Sequence, residues 1–185
     1  LYINQNKTFL IDRSFEFFEI KSDFYNKLWK KGNTILDGEL IFQQHKSKLI
    51  TNSKNKNYQF LENKPIFLIF DIVQINGENV GNLLLNNRFV KIGEFNGNYR
   101  QFSRENHPLA ILAKTFFKTK SIQTLFSMIT FDSTNKLYIF NDKRRNVTNL
   151  NDGLVFTPEN DDYLQRKKLL FKWKWPELNT FGSIF

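Results

Sequence analysis

Leu169-Leu-Phe-Lys-Trp-Lys-Trp-Pro-Glu-Leu-Asn179 is the stretch on which the reading of this chain turns. In a β-strand the side chains at i and i+2 leave the same face, so Lys172 and Lys174 aim two ammonium groups at one spot. Leu170, Phe171, Trp173 and Trp175 around them are apolar or aromatic, which suits a mostly buried strand that carries a charged pair into a cleft. Such a pair fits a phosphate. A K-x-K also fits an exposed strand whose solvated lysines guard a sheet edge.

Upstream of it, Asn151-Asp-Gly-Leu-Val-Phe-Thr-Pro158 joins a turn dipeptide to a strand closed by proline, and the acidic stretch Glu159–Asp162 reads as a loop. Leu137–Phe140 reads as a short strand and the charged run Asn141–Asn146 as a loop. Helix-like spacing runs through Asn82–Ile92 and through His107–Met128. In the second segment Leu109, Leu112, Phe116 and Phe117 share one side, and Pro108 suits a first helical turn. Ile66–Ile75 is the most continuously apolar run and a candidate central strand, ended by the turn Asn76-Gly77-Glu78.

Nearer the start, a turn over Trp29–Asn33 leads into a strand at Thr34–Phe42. Ser47–Thr51 is expected to return beside it as a hairpin, before a polar loop around Asn52–Asn57. Leu1–Ile3, Thr8–Arg13 and Phe15–Ile20 read as antiparallel strands. No repeat or low-complexity linker divides the chain. The expectation is one α+β domain over residues 1–185, with antiparallel strands predominating and two or three helices covering the sheets.

The 185 residues, 41% hydrophobic and 16% aromatic with 21 Phe, suffice for one core. Lys+Arg 27 against Asp+Glu 18 leaves a formal charge of +9, which favours an anionic partner through long-range attraction. The abundance of Asn, Lys, Ile and Phe equally fits a compositional bias of the source. With no Cys there is no disulfide and no thiolate metal site, in agreement with a reducing compartment. His45 and His107 stand far apart, which argues against a histidine metal site or a serine–histidine triad. No run of eighteen apolar residues exists to span a membrane, and the first residues lack signal-peptide features.

Glu39, Asp71, Asp152 and the pair Lys172 and Lys174 all sit in or beside strong strands. A charge inside so apolar a run costs several kcal/mol, roughly, unless it meets a partner, so these groups are expected to converge. Carboxylates facing ammoniums make a cradle for a metal–nucleotide phosphate. Oxygen ligands suit Mg²⁺ or Mn²⁺, and lysines offset charge on phosphoryl oxygens.

Four runs, in this order and spacing, resemble the successive signatures of the mRNA-capping guanylyltransferases. They are Asp37-Gly-Glu-Leu40; Phe67-Leu-Ile-Phe-Asp71 with Asn76-Gly77 and Arg88; Asp152-Gly-Leu-Val-Phe-Thr-Pro158; and Leu170-Phe-Lys-Trp-Lys-Trp-Pro-Glu-Leu-Asn179. That family belongs with the ATP-dependent DNA and RNA ligases among the covalent nucleotidyltransferases. K-W-K-W-P-E-L-N and the Asp-Gly at Asp152 are closer to the capping side.

The resemblance implies a nucleotidyltransferase fold and a two-step transfer of GMP from GTP, through a lysyl–GMP phosphoramidate, to the 5′-diphosphate end of RNA. It places Glu39 at the ribose or the metal, Asp152 at the metal–phosphate centre, Lys172 and Lys174 on the α-phosphate, and Phe70 against guanine. Lys114 would lie at the base edge and Arg13 at the outer phosphates. Plain core packing for Phe70, surface roles for Arg13 and Lys114, and a bracing role for Asp71 are the competing readings. Mg²⁺ or Mn²⁺, GTP and 5′-diphosphate RNA are the implied cofactor and substrates. RNA 5′-triphosphatase, cap methyltransferase and the RNA polymerase II tail are the implied partners, with no membrane. The implied location is the nucleus, or the cytoplasm for a viral source.

The K-x-D-G-x-R signature that carries the family's nucleophile has no counterpart in the chain, and after Asn179 the usual acidic continuation gives way to Thr-Phe-Gly-Ser-Ile-Phe185. The expectation is a guanylyltransferase core cut at both ends, without its OB-fold domain and inactive alone. The alternatives are an ATP-dependent polynucleotide ligase, or a non-catalytic relative that binds nucleotide or RNA. A generic basic RNA-binding module lacks support, because no strand interleaves aromatic and basic residues in the RRM manner.

Overall fold

The computed structural model describes residues 1–4, 7–21, 32–42, 65–102, 108–145, 147–164 and 170–179. The chain winds around β5 (Pro65–Ile75), whose residues from Ile66 to Ile69 are buried on both faces. It pairs antiparallel with β4 (Thr34–Phe42) and parallel with β7 (Ala110–Ala113). β1 (Tyr2–Ile3), β2 (Thr8–Ile11) and β3 (Phe17–Glu19) extend the sheet beyond β4, and β6 (Glu78–Asn79) pairs with the far end of β5.

Alternation along the strands sorts two cores onto the two faces. Leu36, Phe67, Ile69 and Ile111 point to one, where α1 (Leu85–Phe102) packs Ile92 and Phe95 against them. The spacing Leu85, Arg88, Ile92, Phe95 puts one helical stripe on the sheet. Ile41, Ile66, Leu68, Ala110 and Leu112 point to the other face and meet Val147. Each such fully buried Ile or Leu contributes about 1.5–3 kcal/mol of transfer free energy.

Val147 belongs to β10 (Val147–Leu150), which forms a three-stranded antiparallel sheet with β8 (Ile129–Asp132) and β9 (Leu137–Asp142). A short helix α2 (Ile122–Phe126), preceded by a 3₁₀ turn at Thr119–Ser121, leads into it. β11 (Gly153–Phe156) and β12 (Phe171–Lys174) form a separate antiparallel pair, followed by a 3₁₀ turn at Pro176–Leu178.

Antiparallel pairing predominates, as expected, and the strands at β4, β5, β11 and β12 fall where the apolar patterns put them, but β12 is not the mostly buried strand expected: Phe171 and Lys172 are exposed. The helix expected over His107–Met128 is corrected: its first part is the parallel strand β7, and helix is confined to α2. Leu109–Ala113 is apolar at successive positions, and Ala110, Ile111 and Leu112 are buried between both cores, an environment that suits a central strand and that helical periodicity cannot distinguish. The helix expected at Asn82–Ile92 starts at Leu85 and runs on to Phe102. β9 extends through Asn141 and Asp142, so the charged loop is shorter than anticipated. The hairpin strand expected at Ser47–Thr51 lies outside the described residues, as do His45 and His107. Among the described residues no helix is long and apolar enough to cross a membrane.

Candidate functional site

The β11–β12 pair carries three of the expected residues. Cross-strand register sets Lys172 opposite Val155 and Lys174 opposite Gly153, so both ammonium stems leave one face while Leu154 and Trp173 pair on the other. Asp152 stands at the entrance to β11 and its Oδ2 accepts a hydrogen bond from Lys172 Nζ at 2.9 Å. This is a charge-assisted contact between exposed groups. It holds the Asp152 carboxyl below its ordinary pKa, chiefly through the Lys172 hydrogen bond, with the charges of Lys172 and Lys174 adding to it and partial burial opposing it.

The glycine of the Asp-Gly dipeptide has a steric reason. At Gly153 φ is +138°, and a Cβ there would lie 2.0 Å from the Trp173 carbonyl oxygen. Only glycine lets β11 approach β12 this closely beside Lys174.

The opposite face of the pair is glued to the three-stranded sheet by aromatic rings. Tyr138 of β9 stacks on Trp175 at 3.9 Å and 4°, Trp173 meets Trp175 edge-on at 4.8 Å, and Phe126 of α2 touches both tryptophans. Asn151 locks this arrangement: its Oδ1 accepts from Trp175 Nε1 at 2.7 Å and from Gly153 N at 3.1 Å. Ring pairs of this kind contribute about 0.5–1.5 kcal/mol each beyond burial. The alternation K-W-K-W therefore has one cation face and one aromatic face.

On the large sheet, Glu39 pairs with Leu68, and Leu68 pairs in turn with Leu112, whose face Lys114 continues past the end of β7. Glu39 and Lys114 thus stand on the face that carries Ile41, Ile66 and Leu68, and they meet across β5 at 3.5 Å. Gly38 points to the other face, where a Cβ would lie 2.5 Å from the Phe67 ring.

Asp37 pairs with Asp71 but Gly38 pairs with Ile69, so the register shifts at this point and Phe70 is an extra residue on the β5 side. Such a bulge re-aims side chains and is frequent beside active sites. Phe70 is half-buried at this point. Arg13, in contrast, is exposed in the turn between β2 and β3.

The bulge also turns Asp71 toward Arg88 of α1. The guanidinium grips both carboxylate oxygens, Nε to Oδ1 at 2.7 Å and Nη2 to Oδ2 at 3.0 Å, with both side chains fully buried. Asp71 braces a neighbouring element, in line with the bracing alternative, and the spacing from Phe67 through Arg88 is that of one ion-paired clamp. Arg88 Nη1 donates further to the carbonyl oxygens of Leu83 and Asp161. Asp161 belongs to the acidic loop after β11, whose Glu159 is bridged by Lys118 and bonded by Asn86 Nδ2 at 3.4 Å.

Asp152 and Lys172 are thus brought together, as are Glu39 and Lys114, while Lys174 shares the face of Lys172. Among the described residues no ion pair joins the two groups, and Arg13 stands apart from both. Their chemistry is that of an anion cradle: ammonium groups for phosphate oxygens and carboxylates as hard donors for a cation. No cluster of three or more His, Cys, Asp or Glu gathers among the described residues. A cation here would rest on one or two carboxylates plus substrate oxygens, a habit of Mg²⁺.

Reading the chain alone missed the clamping role of Asn151 and that of Tyr163, whose hydroxyl reaches Asp37 Oδ2 at 2.9 Å. The only signal for Tyr163 was an aromatic residue closing an acidic loop.

Compared with curated proteins, the chain has no significant match. A family model described as mRNA capping enzyme, catalytic domain, matches residues 1–176.

Proposed function

Because the chain belongs to the mRNA capping enzyme catalytic-domain family, we propose that its site holds GTP and takes part in moving GMP to the 5′-diphosphate end of RNA, on a covalent nucleotidyltransferase fold. The observation that carries this reading is the β11–β12 pair, where Lys172 and Lys174 share a face and Asp152 is held as a carboxylate beside Lys172.

In the proposed reaction a lysine Nζ attacks the α-phosphorus of GTP, the bond to the β-phosphate bridging oxygen breaks, and pyrophosphate leaves. An oxygen of the RNA 5′-diphosphate then attacks the same phosphorus and the P–N bond breaks, freeing the lysine. The family's nucleophile sits in a K-x-D-G-x-R run, which residues 1–185 do not contain. Lys172 and Lys174 neutralise charge on the α-phosphate as it shifts toward the leaving group. Glu39 takes the ribose hydroxyls or shares a cation with Asp152, Lys114 and Phe70 border the base, and Arg13 approaches the outer phosphates. Mg²⁺ or Mn²⁺, when bound, would polarise the phosphoryl oxygens. A nuclear location, or a cytoplasmic one for a viral source, and the 5′-triphosphatase, cap methyltransferase and polymerase tail as partners follow from the same reading.

The test is incubation of the intact protein with α-labelled GTP or ATP and a divalent cation, followed by denaturing electrophoresis. Label retained from GTP supports the reading. Label retained only from ATP makes the protein a ligase, and none from either nucleotide leaves a non-catalytic relative.

A further inference from the structure

We propose that Tyr163 is a positioning residue that sets the cation face of β11–β12 against the carboxylate strand β4. The segment after β11 crosses back to the large sheet and is tied there at successive points. Lys118 and Asn86 hold Glu159, Arg88 Nη1 donates to the Asp161 carbonyl at 3.0 Å, and Tyr163 N donates to the Gly81 carbonyl at 2.8 Å. The last tie is Tyr163 Oη, which donates to Asp37 Oδ2 at 2.9 Å.

Asp37 lies two residues before Glu39 on β4, opposite Asp71 of β5, with the register shift falling just after it. Glu39 stands on the face that carries Ile41 and Leu68, whereas the cross-strand partner of Asp37, Asp71, is held by Arg88 of α1. The Tyr163 hydroxyl therefore grips the strand of Glu39 two residues away from it. The other ties hold the segment through backbone carbonyls or exposed ion pairs. The Tyr163–Asp37 bond is the one that reads a side chain of the Asp-Gly-Glu signature.

Two anchors then define where Lys172 and Lys174 sit. The aromatic stack of Trp173 and Trp175 fixes the β11–β12 pair to the small sheet, and the Tyr163 strap fixes it to the large one. Loss of the Tyr163–Asp37 bond leaves each sheet folded, keeps the ties at Glu159, Asp161 and Gly81 and the packing of Val147, and loosens the hold on β4 so that the distance distribution widens.

The catalytic consequence rests on the proposed transfer reaction, but the geometric one does not, and the test separates them. Residues 1–185 contain no Cys, so two introduced cysteines are the labelling sites within them. Spin labels on Val155→Cys in β11 and Val90→Cys in α1, both exposed positions, report the distance between the pair and the large-sheet layer. With Tyr163→Phe in the intact protein the distance distribution is expected to broaden, while the thermal midpoint moves by only a few degrees. Net loss of one hydrogen bond corresponds to about a fivefold shift in the balance of positions. Transfer of GMP at saturating GTP should fall by about the same factor, with the KM for GTP changing less. Asp37→Asn, which keeps an acceptor oxygen, should restore most of the sharp distribution that Asp37→Ala loses.

An unchanged distribution in Tyr163→Phe overturns the inference, whatever the activity. A broadened distribution in a protein that transfers neither GMP nor AMP keeps the strap and overturns the proposed reaction instead. A broadened distribution with undiminished transfer removes the positioning role.

Discussion

Gly153→Ala tests the close approach on which the cation pair depends. The added Cβ would lie 2.0 Å from the Trp173 carbonyl oxygen, 2.8 Å from the Lys174 Cα and 2.9 Å from the Trp173 carbonyl carbon, all backbone atoms. Relief to the 3.0 Å that real Cβ atoms respect demands that the strands part by the difference, 3.0 − 2.0 = 1.0 Å at this point. Backbone cannot yield that much without losing ladder hydrogen bonds, each worth about 1 kcal/mol net. A φ of +138° adds strain of order 1–3 kcal/mol for a residue with a side chain.

Together these give a cost of about 3–5 kcal/mol, and a fall in melting temperature on the order of 10 °C for a chain of this size. If the strand pair detaches locally instead, the global transition moves less, but the stacked Tyr138 and Trp175 rings separate. Thermal denaturation followed by far-ultraviolet and near-ultraviolet circular dichroism reads both outcomes. Gly93→Ala is the control: nothing lies within 4 Å of its Cβ position in α1, so it should stabilise by up to about 1 kcal/mol. A Gly153→Ala protein that melts within about 1 °C of wild type, with its near-ultraviolet signal intact, would refute the steric argument.

Lys172→Ala or Lys174→Ala in the intact protein should each lower the rate of GMP transfer by about 10²–10³-fold, since loss of one preorganised charge costs about 3–4 kcal/mol. Single-turnover adduct formation measures this, and near-normal rates in both variants contradict their assignment. Arg88→Met leaves the fully buried Asp71 carboxylate without its guanidinium and should destabilise by about 3–5 kcal/mol, read by urea denaturation. An unchanged midpoint would show that Asp71 does not depend on that clamp. The Asp152 carboxyl titrates below its ordinary range, so its contact with Lys172 is fully present above the unfolded pKa of about 3.9 and is lost as pH falls through the lower folded value. Carboxyl NMR should show the depressed pKa in wild type and its return toward the ordinary value in Lys172→Ala. Because both side chains are exposed, the melting temperature should barely respond to this titration.

Local pattern was enough to place β4, β5, β11 and β12, because apolar alternation and turn dipeptides act over a few residues and every copy of such a pattern meets the same backbone geometry. The same locality made Lys172 and Lys174 legible as one cation face and the Asp-Gly at residues 152 and 153 legible as a turn, whereas the contact with Trp173 that requires the glycine exists only once β12 pairs with β11. Tertiary structure alone decided that Leu109–Ala113 is a parallel strand, since its apolar run fits a buried helix or a buried strand until β5 offers a free edge. It alone brought Lys114 to Glu39, turned Asp71 onto Arg88 through the bulge at Phe70, and bound Tyr163 to Asp37 across 126 positions of chain. Those contacts join residues far apart in the chain, and their partners are chosen by how layers pack rather than by what stands next to them.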